Sequence, residues 1–272
     1  MTRCPAPFPP ATGAALVLLV QLTAGGSARA QQPFVSDDAE VTPKGRWHFE
    51  YFNEYAWLSR NAVPDLRQDT NNFVVQYGLA ERLEVNLDFP LIDIERSRGA
   101  ALGSAFGLGD LDLAAKYNLV DENPGGIVPA LALVGAVEFP TGNKTTQLGS
   151  GYTDVVFNTI AQKTLSEGTV VHLNIGYQFS GNTQTGAIGI ATPGRILTGG
   201  VSVGYDVTRT LLLGIDVNGA QIRTAGSFDR QLQVTLGGSY AFGRGMTFDF
   251  ALLAGHYDSP RLGVLLGMSY SP

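Results

Sequence analysis

Residues 45–57 alternate between two kinds of side chain, and this alternation constrains the fold more than any other feature of the sequence. The odd positions carry mostly aromatic residues, whereas the even positions include a histidine and two glutamates. Successive side chains of a β-strand point to opposite faces, so the segment predicts a strand with one aromatic face and one charged face. The same alternation recurs in segments of about 10 residues, which is typical of a transmembrane β-barrel.

Residues 1–30 have the features of a cleaved secretory signal peptide. Arg3 supplies a positive charge, Ala14–Val20 form an unbroken apolar run, and Ala28–Ala30 provide a small-x-small cleavage pattern before Gln31. A membrane-spanning helix would need about 20 apolar residues, and this run is shorter. The sequence therefore predicts an exported protein whose mature chain starts at Gln31.

The expected mature chain is acidic and lacks cysteine, because Cys4 lies within the signal peptide. Removal of Arg3 and Arg29 leaves 16 basic residues against 24 acidic residues, a net formal charge of −8. This balance argues against nucleic acid as a partner, since binding it requires a basic surface. Disulfides and thiolate metal sites are excluded for the mature chain, and no cofactor is expected.

Twelve segments with this alternation predict twelve strands within residues 45–272. They are 46–57, 70–78, 83–92, 109–119, 128–139, 153–164, 169–179, 196–206, 210–219, 230–242, 246–256 and 261–270. The apolar face is odd-numbered in the first nine strands and even-numbered in the last three. Most outer connections are long, namely 58–69, 93–108, 140–152, 180–195 and 220–229, and the connections between them are short. Long extracellular loops and short periplasmic turns distinguish outer-membrane barrels, and an even strand number places both termini in the periplasm.

A soluble β-sandwich or a lipocalin-like barrel would show the same alternation, with its apolar face turned inward. Aromatic residues near the strand ends and a chain too short for a second layer favour the membrane barrel. In lipid every backbone polar group must be paired internally, so the sheet is expected to close. The expected fold is all-β: a 12-stranded antiparallel transmembrane β-barrel of the bacterial outer membrane, with outer-membrane lipid around it.

With the apolar face toward lipid, the opposite face lines the lumen and is strongly acidic. The predicted lumen-lining residues are Glu50, Glu54, Glu84, Asp88, Asp110, Asp112, Lys116, Glu138, Asp154, Asp216 and Asp249. Charges of one sign select the opposite ion, so one interpretation is a narrow conduit that prefers cations or neutral solutes over anions. The other interpretation is that these carboxylates pair with loop arginines and lysines or only hydrate the wall.

The lumen of a 12-stranded barrel is intermediate in width. Side chains fill barrels of about 8 strands, whereas barrels of about 16–18 strands hold an open aqueous channel. A conduit for a small molecule is compatible with this width. Residues 31–44 form a periplasmic N-terminal segment that could instead fold inward as a plug, ahead of the barrel at 45–272.

Catalytic and metal-binding interpretations are weak, and an enzyme is not expected. Gly200–Gly204 matches G-x-S-x-G, but it lies within a predicted strand and not on the strand–turn–helix elbow that the motif requires. His256 and Ser259 lie close in sequence but lack an acidic partner for a hydrolase. His48 and His172 lie on different strands, where single histidines are more often hydrogen-bonded wall residues than metal ligands.

Five phrases of the sequence carry a resemblance to a known family. They are Thr42–Glu50, Tyr77–Glu84, Gly107–Leu111, Ala115–Tyr117 and Glu138–Asn143. Together they resemble the bacterial outer-membrane family called putative MetA-pathway of phenol degradation, whose members are often labelled transporters. The resemblance implies an outer-membrane barrel with a role in uptake of aromatic or other hydrophobic compounds. The family offers no defined binding residues to carry over.

Two functions follow from these observations. The first is an outer-membrane channel or transporter for small solutes, with aromatic or hydrophobic compounds as candidates. The second is a closed structural or adhesive barrel that acts through its long extracellular loops. The sequence leaves the solute, the state of the lumen and the oligomeric state open.

Overall fold

A computed structural model describes residues 33–179, 194–223 and 228–272. The expected signal peptide, residues 1–30, lies outside the described residues. The elements are β1 (Trp47–Trp57), a 3-10 helix (Arg60–Ala62), β2 (Asp65–Ala80), β3 (Leu83–Arg96), β4 (Ala105–Leu108), β5 (Leu111–Val120), β6 (Ala130–Phe139), β7 (Asp154–Ser166), β8 (Thr169–Phe179), β9 (Arg195–Asp206), β10 (Leu211–Arg223), β11 (Phe228–Gly243), β12 (Met246–Tyr257) and β13 (Leu262–Tyr270). Among the described residues, no helix is long and apolar enough to cross a membrane.

These strands close into a barrel of twelve antiparallel strands. β4 and β5 both pair with β3, one after the other along its length, so they are two halves of a single barrel strand interrupted at Gly109 and Asp110. All other strands pair with their neighbours in chain order, and β1 pairs with β13 from Phe49 opposite Tyr270 to Trp57 opposite Leu262. The predicted closed 12-stranded antiparallel barrel is confirmed.

The outer surface of the barrel is apolar and the inner surface is polar. In β8, Leu173 and Ile175 are 45% and 56% exposed, whereas Asn174 between them is buried. In β11, Leu236 is exposed and Thr235 is buried, which confirms the change of parity predicted for the last three strands. A soluble barrel has the opposite arrangement, so this inversion identifies an outer-membrane barrel.

Three strands extend beyond their predicted ends by four residues or more. β10 continues to residue 223 instead of ending at 219, and β11 begins at 228, so six of the ten residues of the predicted outer connection 220–229 lie in these two strands. β2 begins at residue 65 instead of 70 and β3 ends at residue 96 instead of 92, because polar side chains continue the pairing there. Arg67, for example, faces Glu95 and forms an ion pair with it at 3.2 Å. The first two outer connections are therefore shorter than predicted, at 58–64 and 97–104.

Candidate functional site

The predicted lumen residues share the inward-facing side of their strands. Glu84, Asp154, Asp216 and Asp249 are no more than 1% exposed, and Lys116 is 3% exposed. On β1, Glu54 lies on the same face as the buried Glu50. The inner wall of this barrel is therefore rich in carboxylates from many strands.

Five of these carboxylates form an acidic row across the barrel wall, interrupted at β2 by Val74. The acidic row consists of Glu50, Asp88, Asp112, Glu138 and Asp154. Asp88 lies directly opposite Asp112, Asp112 opposite Glu138, and Glu138 opposite Asp154. Val74 is the register partner of both Glu50 and Asp88, and so connects the row to β1.

The acidic row climbs along the barrel axis because the strands are tilted. Its five steps between strands, each about 4.8 Å, cover about 24 Å of wall. At a strand tilt of about 35–45°, this distance corresponds to a rise of about 14–17 Å. The row therefore extends through much of the apolar band, whose height is about 25 Å in such barrels.

The acidic row does not stabilise the sheet. Like charges directly opposite each other on neighbouring strands repel. Asp88 and Asp112 are such a pair, and one carboxylate oxygen of Asp88 is buried without a hydrogen-bond partner. An arrangement that costs stability at several adjacent positions is typical of a functional surface.

Lys116 is a basic residue within this acidic wall, and acidic groups surround it. Its Nζ atom lies 3.2 Å from Asp37, 3.4 Å from Asp38 and 3.7 Å from Glu84. Two of these partners come from the chain ahead of the barrel. Residues Pro33–Lys44, here called the inner segment, therefore lie inside the lumen with their acidic side chains on the wall lysine.

An outer connection also turns into the lumen. Residues 140–153, here called the inturned loop, donate backbone N–H groups from Gly142 and Ser150 to the Asp110 carboxylate at 2.8 and 2.6 Å. Leu148 of this loop is 4% exposed and packs against Ile92 and Ile94 on the inner face of β3. The inturned loop thus covers part of the outer end of the lumen.

The side chain of Arg96 binds the inturned loop. The guanidinium forms a buried ion pair with Asp65 at 2.5 Å. Its remaining N–H groups donate to the carbonyl oxygens of Gly103 and Thr146 at 2.7 and 2.9 Å, and to Gln147 at 3.2 Å. Two outer connections and the end of β2 therefore depend on one side chain.

The residues considered for catalysis occupy structural positions. Ser202, within the G-x-S-x-G match, lies 2.9 Å from Nδ1 of His172, and Asp216 faces Ser202 from the other side. In a catalytic triad the acid orients the histidine, whereas here the serine lies between them. Ser259 accepts a hydrogen bond from the backbone N–H of Leu232. His48 bonds Glu50 and Ser271. In the part of the chain that the structure describes, no three metal-ligating side chains converge.

Sequence reasoning missed the residues that bind the inner segment and the inturned loop. Asn118, Gln162 and Asn174 lie on the inner face and bond the inner segment. Their amides occupy the same inward parity as the acidic residues, which is the one signal that could have pointed to them. The sequence pattern did not indicate a role for Arg96, because this residue lies beyond the predicted end of its strand.

Comparison with known proteins gives a family and a fold. The family model described as "Putative MetA-pathway of phenol degradation" matches residues 75–268. The COG4313 outer membrane channel from Pseudomonas putida F1 is 18% identical, with 86% of this chain and 98% of that chain covered and a TM-score of 0.62. The NanC porin is 8% identical over 82% of this chain and 98% of that chain, with a TM-score of 0.56. The KdgM porin is 12% identical over 83% and 99%, with a TM-score of 0.51. A search of curated proteins returned no match.

Proposed function

Because the chain belongs to the family described as Putative MetA-pathway of phenol degradation and has the fold of outer-membrane channels, we propose that it conducts small solutes across the bacterial outer membrane. We attribute the selectivity of this channel to the acidic row. It offers a series of carboxylates at increasing depth, close enough for an ion to pass from one to the next. Conduction requires several sites of this kind, each strong enough to admit an ion and weak enough to release it.

The charge of the wall defines which solutes are favoured. A lumen lined with carboxylates concentrates cations and repels anions, because the low-dielectric wall focuses the field. Neutral solutes escape this repulsion. Phenol is neutral at pH 7, since a phenolic hydroxyl ionises near pKa 10, so a phenol-like compound is compatible with the acidic wall.

Inner-face aliphatic side chains support a solute with an apolar part. Ala251, Leu253 and Leu265 form a buried cluster with Phe52 packed against it, all on the inner surface of β1, β12 and β13. A lumen with carboxylates on one side and this cluster on another offers both polar and apolar contacts. We therefore propose a cation or a neutral, partly apolar compound as the solute class, with aromatic compounds as candidates.

Neutralising the centre of the acidic row should reduce cation preference. The change is Asp88→Asn with Asp112→Asn, which removes two facing charges while keeping the side-chain size. We expect the reversal potential under a KCl gradient across a planar bilayer to move toward zero, because fewer fixed charges attract K⁺.

The control is Asp69→Asn with Asp93→Asn, a second pair of facing carboxylates, which lies on β2 and β3. These residues have the parity of the outer surface, so the reversal potential should stay at the wild-type value. Equal potentials for all three proteins would contradict the role given to the acidic row.

The closed structural or adhesive barrel remains a second candidate because the inner segment and the inturned loop occupy part of the lumen. Inner residues such as Asp154, Ser202 and Thr235 are 0% exposed, and an open aqueous pore would leave wall residues accessible to water. This candidate predicts that no form of the folded protein conducts, including a form without the inner segment.

A further inference from the structure

The backbone of the inner segment is bound by side chains of the barrel wall. The N–H groups of Val35 and Ser36 donate to the Asp216 carboxylate at 2.9 and 3.3 Å, and the Ser36 hydroxyl donates to it at 2.6 Å. The Asn174 amide accepts from the N–H of Asp37 at 3.1 Å and donates to its carbonyl oxygen at 2.9 Å. These contacts fix the first half of the segment on β8 and β10.

The second half is bound in the same way on other strands. The N–H of Ala39 donates to Gln162 at 2.9 Å, and its carbonyl oxygen accepts from Asn118 at 2.9 Å. The N–H of Thr42 donates to Glu84 at 2.5 Å. The segment thus passes from β10 to β3 along the inner wall, and wall side chains satisfy its backbone groups at each step.

Glycines on the wall provide the space that the segment occupies. A methyl group on Gly200 of β9 would lie 2.5 Å from the Ser36 hydroxyl oxygen. A methyl group on Gly214 of β10 would lie 2.7 Å from the ring of Phe34. Both glycines have inward-facing parity, so a side chain at either position would meet a side chain of the segment, and at Gly214 it would also meet the backbone oxygen of Val203 at 2.6 Å. The wall therefore complements this segment in shape as well as in charge.

The segment is attached to the barrel by contacts that can break without opening the sheet. In the described residues its link to the ladder is a single bridge between Lys44 and Gly78 at the periplasmic end. Every other contact named above runs to a side chain. Its removal would leave the strand pairs intact and expose Asp216, Glu84 and Lys116 to water, which can solvate them.

We infer that the inner segment Pro33–Lys44 is a plug that closes the proposed channel. Ion pairs from Lys116 to Asp37 and Asp38 hold the plug in place. The inference rests on the proposed function. Packing of the segment against the wall supports the inference, because Ala39 of the segment lies in a buried cluster with Ala130, Ala132 and Ile160 of the wall. Withdrawal toward the periplasm, around the fixed end at Lys44, opens the conduit beside the acidic row.

Deletion of residues 33–42 from the mature protein tests the plug. We expect single-channel steps in a planar bilayer to be several-fold larger and more frequent for the deletion than for the full mature chain. The reason is that the deletion empties the part of the lumen from β3 to β10 while keeping β1 intact. Folding of both proteins is checked by circular dichroism and by the heat-dependent shift in gel migration.

A point variant tests the same inference if the deletion does not fold. Asp37→Lys places a positive charge next to Lys116, so repulsion should release the segment and raise conductance. The matched control is Glu167→Lys, the same reversal of charge on an exposed residue of the turn between β7 and β8, outside the segment, which should leave conductance unchanged.

Each result has a distinct meaning for the two proposals. Equal conductance of the full chain, the deletion and Asp37→Lys would overturn the plug and leave the channel intact. Silence of every folded variant would overturn the channel itself and favour the structural or adhesive barrel. Larger steps for the deletion and for Asp37→Lys, but not for Glu167→Lys, would support the plug.

Discussion

Replacing Arg96 with alanine is expected to detach the inturned loop from the lumen and to destabilise the outer end of the barrel. The change leaves the Asp65 carboxylate buried without its cation, and removal of one partner of a buried ion pair costs about 3–5 kcal/mol. The carbonyl oxygens of Gly103 and Thr146 also lose their donor. Trypsin cleavage after Lys144, within the loop, should become much faster, and the temperature of the gel-migration shift should fall.

The control for this prediction is Arg67→Ala. Arg67 pairs with Glu95 on the same two strands, but both side chains are about half exposed, at 47% and 53%. Exposed ion pairs contribute about 0–1 kcal/mol, so this variant should behave like the wild type. If both variants resist trypsin equally, Arg96 does not hold the loop.

Placing arginine at the middle of the outer surface is expected to impair insertion strongly. Leu236→Arg puts a charge on an exposed apolar position of β11, and arginine near the bilayer midplane costs about 2–4 kcal/mol. The free energy of unfolding from lipid vesicles, measured by reversible guanidinium titration, should fall by this amount. A soluble barrel would tolerate the same change on its outer surface with little loss.

Leu165→Arg is the matched control, because the same substitution occurs at the end of β7 beside the turn at 167–168. The cost of arginine falls to about 0–1 kcal/mol near the interfaces of the membrane. Similar losses for the two variants would mean that the outer surface has no apolar centre.

The strands could be predicted from sequence because one face of each meets lipid. In β8, for example, apolar residues at alternate positions define both the strand and its outer face, and the predicted bounds 169–179 agree with the structure. The ends of β2 and β3 could not be predicted, because Arg67 and Glu95 interrupt the apolar alternation and their pairing is visible only in the structure. The division at Asp110 depends on the distant inturned loop.

The lumen-lining role of the carboxylates stays a prediction, and their partners in the structure could not be predicted. Strand parity alone places Asp216 on the inner surface. Its actual partners, Val35 and Ser36, are about 180 residues away in sequence, and nothing local indicates that contact. The same holds for Lys116, whose acidic partners on the inner segment lie nearly 80 residues before it.

The pairing of β1 with β13 has a consequence for how the protein is made. The seam joins the first strand to the last, so the barrel cannot close until the whole chain has been synthesised and exported. Contacts between residues so far apart in sequence form slowly. The inner segment directly precedes β1, and its binding residues lie on strands from β2 to β10. The inner segment is therefore synthesised before the strands that bind it, so one of the first parts of the mature chain to be exported obtains its complete binding surface only after β10 has joined the sheet.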